Sequence, residues 1–252
     1  TRDVLENNKF GKSRVIVEEF LDGEEFSLFA FVKHDKFYMM PTAQDHKRAY
    51  DQDKGPNTGG MGAVSPVPFA DEAFIKKVEE KVVIPTINGL RKENIDYRGF
   101  IFIGLMNNNG EPSVIEYNCR MGDPETEVVI PRIESDFLVL MKSVGNKTLR
   151  KQELVVSSKT AATVMLVSGG YPDDYKKGIP IRGIDKVSGS TVFHAGTLKD
   201  ESNLRTNGGR VMAITTLANN LSEAVSTSLV NAAKIEFDGK NYRKDIGKDL
   251  LL

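Results

Sequence analysis

Cysteine is nearly missing from this chain of 252 residues. The one thiol, Cys119, excludes an internal disulfide and fits a reducing, cytoplasmic setting. Histidine is almost as sparse: His34, His46 and His194 lie far apart in sequence and make a poor structural zinc site. No apolar run approaches the ~18 residues of a membrane span. The opening stretch Thr1–Lys9 is polar and does not read as a secretory signal. An excess of one charge is also lacking. Thirty-four Lys and Arg against 35 Asp and Glu leave a net charge of −1, without the basic surplus that nucleic-acid binding usually needs. There is no nucleophile elbow and no His-Glu-x-x-His helix. Gly11-Lys12-Ser13 ends like a phosphate-binding P-loop, but Glu6 stands where the loop's first glycine belongs.

What is present is a foldable chain. Hydrophobic residues make up 40% and charged residues 27%, enough apolar content for a core and for one large or two small domains. Val15–Phe20 reads as a β-branched strand, Glu25–Val32 as a second after the turn at Leu21-Asp22-Gly23, and Lys36–Met40 as a third. Pro41 to Asp71 reads as one long glycine- and proline-rich loop, a length usually reserved for function or disorder. Asp71 is placed to cap a helix over Asp71–Val83, restarted at Pro85 and ending near Glu93. Phe100–Met106 and Ser113–Asn118 form a hairpin about Asn109-Gly110. Asp123 should cap a helix over Glu125–Ser143, interrupted at Pro131. The polar stretch Gly145–Lys159 sets an expected boundary, giving units of 1–150 and 151–252. The second unit reads as β-rich, with strands at Thr160–Val167, Ser190–His194 and Gly209–Leu217 and one helix capped by Ser222.

Three constellations could carry chemistry. The run Val15-Ile-Val-Glu18-Glu19-Phe20-Leu21-Asp22-Gly23-Glu24-Glu25 ends a strand in carboxylates, which fits either a solvated sheet edge or an edge that hydrogen-bonds a nucleotide base and ribose. In Glu116-Tyr117-Asn118-Cys119-Arg120, period-2 alternation puts Glu116 and Asn118 on one strand face. A carboxylate and an amide so placed suit a hard cation, with Arg120 as a fixed positive charge; a surface strand with a cross-strand ion pair is the plain alternative. Asn57-Thr58-Gly59-Gly60-Met61-Gly62 is either a flexible tip or a run whose backbone N–H groups approach an anion.

Taken in order, Glu18–Glu25, Gln44-Asp45-His46-Lys47-Arg48, Gly55–Ala63 and Glu116–Glu125 resemble one family, the phosphoribosylamine–glycine ligases of the ATP-grasp superfamily. Ser168–Pro172, Phe193–Thr197, Thr206–Arg210 and Tyr242–Gly247 resemble that family's C-terminal domain, so the likeness runs from about Val15 to Gly247. The resemblance implies an α+β fold: the second half of an ATP-grasp domain followed by a small β-rich C-terminal domain. It implies a chain starting after the family's N-terminal domain and first ATP-grasp subdomain, with that N-terminal part as its partner. Alone, such a chain should bind ATP weakly and not turn over. It implies ATP, with Mg²⁺ or Mn²⁺, and the substrates glycine and 5-phosphoribosylamine, in a monomer when intact.

The roles that follow from the resemblance are these. Glu18, Glu19, Phe20 and Leu21 would line the adenine, and Glu25 would take the ribose hydroxyls. Glu116 and Asn118 would hold the metal, while Arg120 and Lys47 would offset phosphate charge. Asn57, Thr58, Gly59, Gly60, Gly62 and Asp123 would meet the other substrates. The alternatives are another ATP-grasp carboxylate–amine ligase, or a catalytically incomplete nucleotide-binding fragment.

Overall fold

The computed structural model describes residues 6, 15–146, 148–149, 154–200 and 203–251. The P-loop-like Gly11–Ser13 lies outside them. In chain order the elements are β1 (Glu24–Lys33), β2 (Lys36–Met39), β3 (Gln44–Asp45), β4 (Arg48–Tyr50), β5 (Lys54–Asn57) and β6 (Gly62–Ser65). Then come α1 (Glu72–Val78), a π-helical turn (Glu79–Val83) and α2 (Ile84–Lys92). They are followed by β7 (Arg98–Asn108), β8 (Glu111–Asn118), α3 (Thr126–Val129) and α4 (Phe137–Gly145). The last are β9 (Thr160–Val167), β10 (Thr191–His194), β11 (Thr197–Asp200), β12 (Asn203–Thr206), β13 (Arg210–Ala218) and α5 (Leu221–Lys234).

Two antiparallel sheets dominate this α+β fold, one ordered β2-β1-β7-β8 and the other β10-β13-β9-β6-β3. In β1 nearly every residue is buried because both faces are covered. Phe26, Leu28, Ala30 and Val32 pack under Phe74, Val78, Val82 and Ile87 of the helical run. Phe29 and Phe31 pack on Phe102, Val128, Val129 and Leu140 of the other side. Each such large side chain taken out of water contributes roughly 1.5–3 kcal/mol, which makes β1 the fixed reference against which the site is built. We call its two sides the helix face and the cleft face.

Several local expectations are corrected. Val15–Phe20 is not a strand: it has no ladder partner among the described residues, and Ile16, Val17 and Phe20 are more than 80% exposed. Pro41–Asp71 is no featureless loop; it holds β3 to β6, strands of two to four residues that are too short to show a period. Asp71 does cap α1, accepting from Phe74 N–H at 2.8 Å. Asp123 does not cap α3, having turned to Arg210 instead. Asn220, not Ser222, caps α5. The β11–β12 hairpin went unread. The second sheet takes β3 and β6 from before residue 150 and β9, β10 and β13 from after it, so hydrogen bonding crosses the expected boundary. Among the described residues, no helix is long and apolar enough to cross a membrane.

Candidate functional site

The face on which Glu116 lies is decided by one irregularity. β8 pairs with β7 in the register Leu105↔Val114 but Gly104↔Glu116, which leaves Ile115 as an extra, bulged residue. Val114 packs into the helix-face core. Without the bulge, Glu116 would follow it there. With the bulge, Glu116 and Asn118 point to the cleft face, while Tyr117 turns to the helices and meets Thr86 Oγ1 at 2.8 Å. Gly104, opposite, leaves room: a Cβ there would stand 3.2 Å from Glu116 Cγ. The two candidate metal ligands are adjacent, Asn118 Nδ2 donating to Glu116 Oε1 at 3.0 Å.

Lys47 stands beside them. Its ammonium pairs with the Glu25 carboxylate of β1. Burial lowers the Lys47 pKa, but the hydrogen bond and charge of Glu25, with Asp45 and Glu116 behind it, outweigh burial and raise the pKa above the ordinary lysine value. Glu25 also lines a cleft of 420 Å³ with Glu18, Glu19, Phe20, Leu21, Met106, Ser113, Val114 and Ile115. The five residues expected around a nucleotide thus meet at one opening, next to the Glu116–Asn118 pair. Arg120 lies past the end of β8 and donates to Met121 O at 2.9 Å, so strand alternation does not govern its direction.

The glycine-rich run differs from the expected anion cradle. Thr58 N–H donates to Lys47 O at 2.8 Å, Gly59 N–H to Tyr171 OH at 3.0 Å, Gly60 N–H to Thr58 Oγ1 at 3.0 Å, and Met61 N–H to His46 O at 2.8 Å. All four donors are taken within the protein. Glycine is needed at position 60 for close packing: φ is +112° and a Cβ would lie 2.3 Å from Pro124 Cδ and 2.6 Å from Asp45 Oδ1. Asp123, on the neighbouring turn, is held by Arg210 at 2.8 Å.

Sequence reasoning passed over the carboxylates beneath this loop. Glu125 is 4% exposed and accepts from Ser27 Oγ at 2.9 Å; burial raises its pKa. Burial likewise raises Glu127 and lifts Asp45 well above the usual carboxylate range, with Glu125 adding to the rise in Asp45. Asp45 Oδ1 and Glu127 Oε2 are sealed from solvent without hydrogen-bond partners. An acid whose folded pKa is raised binds more protons folded than unfolded, so stability falls as pH climbs from the unfolded value of ~4 through the folded one. Asp45→Asn should therefore match the wild type near pH 4 and melt ~2–4 °C higher at pH 7.5. Thermal unfolding at the two pH values checks this, and a less stable variant at pH 7.5 would refute it.

The donor set fits a hard divalent cation. A carboxylate and an amide carbonyl supply two oxygens on a rigid strand, and Mg²⁺ ordinarily takes only one or two protein oxygens and fills the rest with phosphate and water. Among the described residues no three or more His, Cys, Asp or Glu gather as a fuller metal cage.

Comparison with known proteins covers the same stretch of chain. The family model for the phosphoribosylglycinamide synthetase ATP-grasp (A) domain matches residues 1–126, and that for the C domain of the same synthetase matches 161–249. A phosphoribosylamine–glycine ligase of Vibrio vulnificus is 44% identical over 251 residues, covering 98% of this chain and 58% of the relative. One from Halalkalibacterium halodurans is 44% identical over 248 residues, with 97% and 58% covered. The chain thus spans 58% of the length of these curated relatives. A crystal structure of the Thermotoga maritima phosphoribosylamine–glycine ligase superposes with a TM-score of 0.81 at 38% identity, over 91% of this chain and 57% of that one. An L-amino acid ligase from Bacillus licheniformis, at a TM-score of 0.59 and 16% identity over 88% of this chain and 55% of that one, shares the fold.

Proposed function

The chain belongs to the phosphoribosylglycinamide synthetase family, and from that premise we propose that it forms the metal-bearing side of an ATP-dependent ligase joining glycine to 5-phosphoribosylamine. A glycine carboxylate oxygen takes the γ-phosphoryl group of ATP, releasing ADP. The phosphoribosylamine nitrogen then attacks the carbonyl carbon of glycyl phosphate, phosphate leaves, and glycinamide ribonucleotide forms in purine biosynthesis. We further propose that this happens in the cytoplasm, in a monomer that joins this chain to the N-terminal part its longer relatives carry. The stretches 1–150 and 151–252 are then units of one active body, sharing a sheet.

The physical problem is gathered negative charge. Glu116 and Asn118 would hold Mg²⁺ or Mn²⁺, which supplies charge neutralisation between the phosphates. Lys47 keeps its charge across the working pH range and faces the same spot. The backbone at Phe20 and Leu21 meets adenine with Glu18 and Glu19 beside it, and Glu25 accepts from ribose hydroxyls. Asn57, Thr58, Gly59, Gly60, Gly62 and Asp123 form the rim for glycine and the amine. Phosphoryl transfer asks a protein mainly for such positioning and electrostatics. The observation carrying this reading is the adjacency of Glu116 and Asn118, at 3.0 Å, on the face that also presents Lys47.

The test is ADP release by the chain assembled with the N-terminal part. Release should require glycine, phosphoribosylamine and a divalent metal together. Release that ignores glycine, or that accepts other carboxylates equally, contradicts the reading. The isolated chain should bind ATP weakly in calorimetry and show no turnover. Arg120→Ala in the assembled enzyme should lower kcat about 10-fold or more while the Kd for ATP stays within about 2-fold, as for a group acting mainly in the chemical step. An unchanged single-turnover rate removes Arg120 from the mechanism.

A further inference from the structure

Gly59 is gripped at both of its backbone polar groups by side chains more than 100 residues away. Its N–H donates to Tyr171 OH at 3.0 Å, and its C=O accepts from Arg210 Nη1 at 2.5 Å. The same guanidinium donates through Nη1 to Asp123 O at 2.9 Å and through Nη2 to Asp123 Oδ2 at 2.8 Å. Both gripping residues sit at one end of the buried β9–β13 strand pair of the second sheet. Arg210 opens β13, and its Cα pairs with that of Val167, the last residue of β9. Tyr171 follows β9 by a turn held by Ser168 N–H to Gly209 O at 2.8 Å and Ser168 Oγ to Gly208 O at 2.9 Å. The strands behind this end are sealed: Val164, Met165, Leu166 and Met212 are 0% exposed.

We propose that Arg210 and Tyr171 are positioning residues that fix the Asn57–Gly62 run and the Asp123 turn to each other and to the second sheet. The proposal rests on the reading of those two segments as the substrate rim. Three segments of separate origin are brought to one point, and the planar fork of an arginine is what lets one side chain serve two carbonyls and a carboxylate. A lysine, a point charge, cannot reproduce that set. The rim residues contribute no free N–H at Thr58–Met61, so their value to a substrate lies in where they hold the walls of the cleft. A shift of about 1 Å in such walls is enough to cost up to ~10²-fold in rate.

Two measurements test this. In the full chain, hydrogen exchange is followed at Gly59 and Gly60, with Val164–Leu166 as internal reference. Tyr171→Phe and Arg210→Ala should speed exchange at Gly59 about 10-fold or more and leave the reference amides unchanged. Protection of Gly59 that stays at the wild-type level in both variants overturns the clamp. In the enzyme assembled with its N-terminal part, Arg210→Ala should raise the KM for glycine or phosphoribosylamine ~10-fold or more, with the KM for ATP within about 2-fold. Arg210→Lys should recover little of the loss. Arg210→Ala combined with Asp123→Ala should cost less than the sum of the two. Faster exchange at Gly59 with all KM values unchanged overturns the positioning role. Absence of ligase turnover in the assembled wild type overturns the functional reading and the rim with it, and the exchange result then still reports whether the clamp exists.

Discussion

Replacing Glu116 with alanine in the assembled enzyme is expected to lower metal-dependent turnover by about 10³-fold, equivalent to several kcal/mol of lost charge stabilisation. The fold should survive. Glu116 is exposed and accepts a hydrogen bond from the neighbouring Asn118 on the same strand, so the melting temperature should move by less than about 2 °C. Asn118→Ala should follow in the same direction with a smaller loss, because an amide carbonyl contributes less to a cation than a carboxylate does. Raised metal concentration should restore part of the Asn118 loss and little of the Glu116 loss. Steady-state rates against Mg²⁺ concentration check both. Turnover of Glu116→Ala near the wild-type value would show that the cation is held elsewhere.

The second large effect is expected at Lys47. Lys47→Met keeps the length of the stem and removes the ammonium from among Glu25, Asp45 and Glu116. Turnover should fall about 10²–10³-fold, because the Glu25 and Glu116 carboxylates are left without that positive charge beside the phosphates, above the buried Asp45. The pH dependence is part of the test. A lysine whose folded pKa is raised gives stability that is fully present below its unfolded value of ~10.4 and lost only as pH rises through the folded one. Lys47 therefore stays charged through the assay range, and the loss in Lys47→Met should be the same at pH 7 and pH 9. A loss confined to the lower pH would mean that the ammonium titrates in this window and that the environment drawn for it is wrong.

The sequence was most informative where chemistry and period coincide. Glu116 and Asn118 stand two apart, and alternation alone places them together. What alternation could not supply is the face, because the bulge at Ile115 is a property of pairing with β7, not of β8 by itself. The strip Glu18–Leu21 lines a cleft with Glu25, while the β-branched run Val15–Val17 before it suggests a strand that has no ladder partner among the described residues. β1 was legible as a strand, and its burial on both faces explains why its alternation is so weak. The helical run from Glu72 to Lys92 was legible from its spacing and from Asp71.

What stayed hidden depends on contacts between distant segments. Arg210 meets Gly59 and Asp123 across 151 and 87 residues, and no local pattern announces that. Asp45 reads as one charge in a charged run. The antiparallel bridge of Ala43 to Ser27 just before β3 and the close packing of Gly60 on its Oδ1 hold that carboxylate inside. The glycine run shows the same limit from the other side. Its composition suggested open donors, and the fold spends those donors on Lys47, Tyr171, Thr58 and His46.

The central claim is that a divalent cation is seated by Glu116 and Asn118 at the end of β8. Paramagnetic broadening by Mn²⁺ in the presence of ADP, read on the assigned amides and side-chain signals of the full chain, tests it directly. The account predicts selective loss of the Glu116, Asn118 and Lys47 signals, abolished in Glu116→Ala. Broadening that centres on Asp45, Asp123 or Glu127 instead, or that persists unchanged in Glu116→Ala, would contradict it.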